Sequence, residues 1–158
     1  MFRSLTLTAA IAAMSFGAAA SALTAEQKVY KEVRTQTPTG EVKLTREEAK
    51  LVTPGENVIY ALEFKNDKAE PAGDIVLTMP IPKDVAYIEG SAETQLASLT
   101  YSADNGDSFS SRESVMTIDN DGSLRPAKPE ELTHIRWSVS EEIAPNAGGE
   151  LSFKGRLK

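Results

Sequence analysis

Apolar and polar residues alternate with a period of two along most of the chain, the pattern of strands that bury one face and wet the other. The clearest run, 57–65, sets Val58, Tyr60, Leu62 and Phe64 on one face and a mixed group, Asn57, Ile59, Ala61 and Glu63, on the other. Three more runs read as confident strands. In 75–79 the apolar face is Ile75, Leu77 and Met79; in 134–139 it is Ile135, Trp137 and Val139; in 151–157 it is Leu151, Phe153 and Leu157. Weaker alternation marks 28–33, 42–45, 85–88, 99–102 and 115–118. The stretch 45–52 admits two readings, since Thr45 with Glu48 fits a capping box for a helical turn while the residues also suit a strand.

Turn chemistry punctuates these runs at short intervals. Pro54-Gly55 precedes the 57–65 run and Asn66-Asp67 ends it; Pro80 and Pro82 stop a ladder around Ile81; Asn105-Gly106 and Asp121-Gly122 have the composition of tight hairpin turns; Pro145 to Gly149 launches the last strand. Many short strands with such spacing predict an all-β antiparallel sandwich of about seven to nine strands rather than a helical or βαβ fold.

The amino terminus follows a different pattern. Arg3 is followed by an uncharged, mostly apolar stretch, and Ala20-Ser21-Ala22 offers small residues at both recognition positions of a signal peptidase. The run is Ala-rich, interrupted by Thr, Ser and Gly, and shorter than the roughly 20 strongly apolar residues of a spanning helix. Residues 1–22 are therefore read as a signal peptide cleaved after Ala22, which leaves a periplasmic or secreted chain with no membrane insertion. Residues 23–39 read as an amino-terminal lead or an edge strand.

Composition narrows the function classes. The net charge of −6 without a basic stripe argues against nucleic acid and against an anionic membrane surface. With no Cys, neither disulfides nor a thiolate metal site is available, and the core must hold the fold unaided.

Five pieces in order resemble the bacterial domain-of-unknown-function-eleven family. They are Pro54-Gly55 with Val58 and Tyr60, Phe64-Lys65-Asn66, Ile75 to Met79 closing on Pro80-Ile81-Pro82, Tyr87-Ile88-Glu89-Gly90-Ser91, and Ala144-Pro145-Asn146-Ala147-Gly148-Gly149 followed by Phe153. Asn146 stands where that family usually has Gly. The resemblance spans residues 40–158 and implies an immunoglobulin-like β-sandwich on an exported or surface protein. The family has no agreed activity, so no functional residue is carried over.

The candidate chemical constellations have local explanations. Ser102-Ala103-Asp104-Asn105-Gly106-Asp107-Ser108-Phe109 fits the Asp-box pattern, in which a carboxylate ties down a hairpin and the aromatic folds back. One box in a chain this short does not make a sialidase-like propeller. Asp119-Asn120-Asp121-Gly122 hints at calcium, and Asp104, Asp107, Asp119 and Asp121 would share an ion if the two turns met; Thr117 and Lys128, however, occupy the end positions of an EF-hand reading that need carboxylates. His134, the only histidine, has no second His or Cys with which to bind a transition metal and no nucleophile elbow nearby; it reads as a half-exposed strand residue. Trp137 reads as core.

No catalytic, cofactor-binding or metal residue is therefore assigned, and the chain is expected not to be an enzyme. The expected function is a non-catalytic interaction or structural domain of the cell envelope, with an unknown envelope or surface protein as partner. A carbohydrate-binding module is the alternative. Alternation sends Tyr60, Phe64, Trp137 and Phe153 to the core and leaves Tyr30, Tyr87, Tyr101 and Phe109 as possible sugar platforms. A subunit of a chaperone-assembled fibre is a third option and would need a missing strand.

Overall fold

Residues 23–158 are described in a computed structural model; the signal-peptide reading falls on residues outside them. The alternating runs form ten strands: β1 (Leu23–Gln36), β2 (Val42–Glu48), β3 (Asn57–Asn66), β4 (Val76–Pro80), β5 (Val85–Tyr87), β6 (Ala97–Ser102), β7 (Met116–Ile118), β8 (Leu124–Pro126), β9 (His134–Val139) and β10 (Gly148–Leu157). One 3-10 turn, Pro129–Glu131, stands between β8 and β9. All pairings are antiparallel. A five-stranded sheet has the order β2-β1-β3-β10-β5, a three-stranded sheet the order β4-β9-β6, and β7 pairs with β8 alone.

The two larger sheets pack face to face as a β-sandwich. Tyr60, Leu62, Phe64, Leu151 and Phe153 from one meet Leu77, Met79, Tyr101, Ile135 and Trp137 from the other in a single apolar core. Tyr60 stacks on Phe153, with ring centroids 5.1 Å apart and planes 14° from parallel. In an immunoglobulin-type sandwich the strands pair as A-B-E-D and C-F-G. Here β4-β9-β6 follows the B-E-D order and β5-β10 the C-F order, while β3 fills the place beside β10 that the final strand takes in that scheme. The chain supplies this strand itself, so no strand position stands vacant beside β10.

Gly148 sits where β10 begins to pair with β3 and leaves no room for a side chain. A Cβ added there would sit 2.1 Å from the Phe64 carbonyl oxygen, a backbone atom that cannot step aside. This is the physical use of the Gly pair that opens the last strand.

The strand count exceeds the expected seven to nine because two hairpins are longer or smaller than alternation shows. Residues 23–36 form a strand rather than a loose lead, and among the described residues only Tyr30 and Lys31 pair on both sides, so Leu23 to Val29 run along the edge of the sheet. Strand β1 pairs with β3 from Leu23↔Asn66 to Lys31↔Val58 and with β2 from Tyr30↔Glu48 to Gln36↔Val42. Thr45 to Glu48 belong to β2, so the helical alternative is not realised.

The distal β1–β2 hairpin curls across the outside of the five-stranded sheet. Arg46 on β2 donates to Glu150 on β10 at 2.7 Å, although β1 and β3 lie between them in sheet order. In a flat sheet those positions would be about 14 Å apart sideways and about 20 Å apart along the strands. Lys154 on β10 likewise bonds Glu32 on β1 at 2.6 Å. The curl explains a departure from simple alternation: Ile59 and Ala61, on the outward face of β3, are buried beneath it.

Candidate functional site

The Asp-box residues fold as a bonded turn on the outer face of the three-stranded sheet. Strand β6 delivers Ser102 at its end, and the chain returns to bridge Ser110 to Tyr101. Asn105 at φ 62° and Gly106 at φ 91° lie between, both in the left-handed region that a tight reversal requires. Asp104 Oδ1 accepts from Ser102 Oγ at 2.6 Å and from the Ser108 amide at 3.0 Å, and Oδ2 accepts from Ser108 Oγ. Ser102 Oγ in turn accepts from the Gly106 amide at 2.9 Å. These donors, Ser102 first and Ser108 next, hold the Asp104 carboxyl far below the usual carboxylate range.

Phe109 then folds back over the sheet. The Arg136 guanidinium lies 3.4 Å from its ring centroid, and the His134 ring meets it edge-on at 6.5 Å. His134 also lies against Gly106 and bonds Thr133 Oγ1 at 3.2 Å. Burial lowers its pKa, aided by Arg136, while Asp104 pulls the other way. Asp104, Phe109, His134 and Arg136 thus come together, but each is engaged with its neighbours in holding the turn to the sheet.

The second acidic turn serves its own hairpin. Asp119 pairs with Arg125 Nε at 3.3 Å, and Asp121 Oδ1 accepts from the amide and hydroxyl of Ser123. Across the described residues no three His, Cys, Asp or Glu side chains are arranged to hold a metal ion. We therefore expect Asp104→Asn to lower the melting temperature at neutral pH, with or without millimolar calcium. Because the folded-state carboxyl is depressed, its stabilisation is present above its unfolded pKa and is lost as pH falls through the folded value. Melts at pH 7 and pH 3 should thus show the variant's deficit shrinking in acid. A calcium-dependent rise in the wild-type melting temperature, abolished by changing Asp119 or Asp121, would overturn this account.

The aromatic candidates separate. Tyr87 and Tyr101 are buried, their hydroxyls 3.2 Å apart, and the Ala92 amide donates to Tyr87. Val85 and Tyr87 share the core face of the short strand β5, a parity that so brief a run shows poorly. Tyr30 and Phe109 stay half-buried, one on the outer face of the five-stranded sheet and the other packed on the outer face of the three-stranded sheet. No coplanar exposed pair arises from these four.

A row of glutamates, Glu26, Glu63 and Glu150, crosses β1, β3 and β10 in register. Lys28 pairs with Glu63 and Arg46 with Glu150, on the flank of an open groove of about 550 Å³.

The sequence marks 115–118 as a weak strand and Asp121-Gly122 as its turn but not the return strand β8, and the polarity of the β7–β8 hairpin is inverted. In its register Met116 faces Pro126 and Ile118 faces Leu124, so these four share one face. That face is exposed, with Ile118 at 69% and Leu124 at 68%. The opposite face carries Thr117 and Arg125, and Arg125 grips Glu131 through two bonds of 2.7 and 2.6 Å. Arg125, with help from the Lys128 amide, holds the Glu131 carboxyl down at about 2. The hairpin is thereby anchored by its polar face and offers its apolar one to solvent. Three-residue strands are too short for alternation to reveal this.

Among known protein families, curated proteins and solved structures, none matches this chain, so the resemblance drawn above rests on its motif residues alone.

Proposed function

We propose that this protein is a non-catalytic interaction domain of the bacterial cell envelope, exported by cleavage after Ala22, whose partner is another envelope or surface protein. The observation that carries this reading is the β7–β8 hairpin, which is pinned through Arg125 and Glu131 and turns Met116, Ile118, Leu124 and Pro126 outward. Exposed apolar residues gathered on one anchored projection are the kind of surface that partners cover. The polar clusters support the same view, since the Asp-box carboxylate, His134 and Arg136 are occupied in holding a turn. Export is supported by the Arg3, apolar run and Ala20-Ser21-Ala22 series.

The test joins compartment and surface. Amino-terminal sequencing of the protein recovered from its native host should begin at Leu23. A photo-crosslinking residue at position 118 should capture one envelope protein, and Leu124→Glu in the same chain should abolish the capture without changing the melting temperature. Recovery of an intact Met1 terminus in the cytoplasm would overturn export. Crosslinking that is absent, or indifferent to Leu124→Glu, would overturn the role of the hairpin.

A further inference from the structure

We propose that β2 is a homodimerisation edge, on which a second copy of this chain adds its own β2 antiparallel across a two-fold axis at Thr45. Strand β2 is the outermost strand of the five-stranded sheet, and its only strand neighbour among the described residues is β1. All its residues except Thr45 are exposed, including Val42 at 59% and Leu44 at 52%.

The backbone fixes which groups are free. The Thr37 amide bonds the Glu41 carbonyl at 2.8 Å and the Ala49 amide bonds the Val29 carbonyl at 2.9 Å, one at each end of the β1–β2 ladder. Between them, antiparallel alternation directs the amides and carbonyls of Lys43, Thr45 and Glu47 toward β1. Those of Val42, Leu44, Arg46 and Glu48 face the open edge. Only the Glu48 carbonyl is otherwise engaged, by the Lys50 amide at 3.0 Å.

Charge then selects the register. With Thr45 opposite its own copy, Leu44 faces Arg46 and Val42 faces Glu48 in hydrogen-bonded pairs. Lys43 faces Glu47 twice in the closer non-hydrogen-bonded pairs, where opposite charges and a Thr–Thr contact are favourable. Moving the axis to Leu44 sets Glu41 against Glu47; moving it to Arg46 sets Arg46 against itself. Both neighbouring registers place like charges opposite each other, and the Thr45 register places none. The strand is therefore complementary to itself in one alignment, which is the condition for a closed two-fold interface. The curl of the hairpin leaves this edge free, because Arg46 and Glu32 reach inward to β10 from the face opposite Lys43, Thr45 and Glu47.

Sedimentation velocity on the purified protein should show a reversible dimer that weakens as salt rises. Lys43→Glu and Glu47→Lys should each weaken it about tenfold or more, by opposing like charges twice. Mixing these two variants should restore association as a heterodimer, because each then faces its complement; this also shows that neither has merely unfolded. The chain has no native cysteine, so crosslinking gives an independent readout. The Thr45 pair would have its Cα atoms about 4.5 Å apart, within disulfide reach. Thr45→Cys should oxidise to a covalent dimer far faster than Val42→Cys. A wild-type protein that stays monomeric at millimolar concentration would overturn the proposal, as would a dimer indifferent to Lys43→Glu, or equal crosslinking at positions 42 and 45.

Discussion

Replacing Trp137 with alanine is expected to cost about 3–5 kcal/mol, a large part of the roughly 5–15 kcal/mol that holds a domain folded. The side chain is wholly buried on the central strand of the three-stranded sheet, between Leu77 and Leu99 in register. Its indole Nε1 donates to the Ala92 carbonyl at 3.2 Å, fixing the loop between β5 and β6 to the core. Two losses are therefore combined: apolar area with the cavity left behind, and a hydrogen bond at a buried carbonyl. Trp137→Phe separates them, since it retains most of the area and leaves the Ala92 carbonyl unpartnered, and should cost about 1–3 kcal/mol. Urea titration gives both values. As the only tryptophan, Trp137 also reports on itself: native emission should be blue-shifted and should move red on unfolding. A solvent-like native maximum, or an unchanged midpoint for Trp137→Ala, would refute its structural role.

What the sequence revealed depended on how completely each strand's burial is decided by its own alternation. Strands β3, β9 and β10 lie inside sheets with one face on the core, and their apolar residues recur at every second position. Strand β1 is as regular in the fold but not in the sequence. Its core-side positions run Leu23, Ala25, Gln27, Val29 and Lys31, while its outer face is held by charge, as in Lys28–Glu63 and Glu32–Lys154. Pairing with β3 along its first half and with β2 along its second places such a strand, and alternation does not record pairing. Ile59 shows the converse. Its burial comes from a hairpin that curls over from more than ten residues earlier in the chain, so no local pattern marks it.

The polar clusters divide in the same way. The Asp box was legible because its bonds run between residues two to four apart, Ser102 to Asp104 and Asp104 to Ser108. The contacts of Phe109 with Arg136 and His134 join residues far apart in the chain and follow from the pairing of β6 with β9. The outward apolar face of β7–β8 was hidden for a different reason: a strand of three residues has no period to measure, and only the grip of Arg125 on Glu131 decides which side turns to water.

Asn66 combines a local signal with a long-range use, and its replacement should reveal both. The residue ends β3 and is wholly buried. Its Nδ2 donates to the carbonyls of Glu70 at 2.8 Å and Ile143 at 2.9 Å, and its Oδ1 accepts from the Lys68 amide at 3.0 Å. Its backbone amide bonds the Ala147 carbonyl, and its carbonyl accepts from the Asn146 amide. One side chain thus ties the loop after β3 to the loop before β10. Asn66→Leu has similar volume but leaves two carbonyls and an amide without their partner, an expected cost of about 2–4 kcal/mol. Asn66→Asp is nearly isosteric and more informative. It keeps an acceptor for Lys68 but sets a carboxylate oxygen against two carbonyl oxygens in a buried site. Burial and those carbonyls would raise the folded-state pKa of the new carboxyl above its unfolded value of about 3.9. Its destabilisation relative to wild type is then fully present above the folded pKa. It diminishes as pH falls through that value, because the protonated carboxyl can donate one of the lost bonds. Chemical denaturation of both proteins at pH 7 and pH 4 should show the Asn66→Asp deficit shrinking in acid while the Asn66→Leu deficit stays nearly constant. If the two deficits respond alike to pH, or if Asn66→Leu is as stable as wild type, the amide is not what joins these loops.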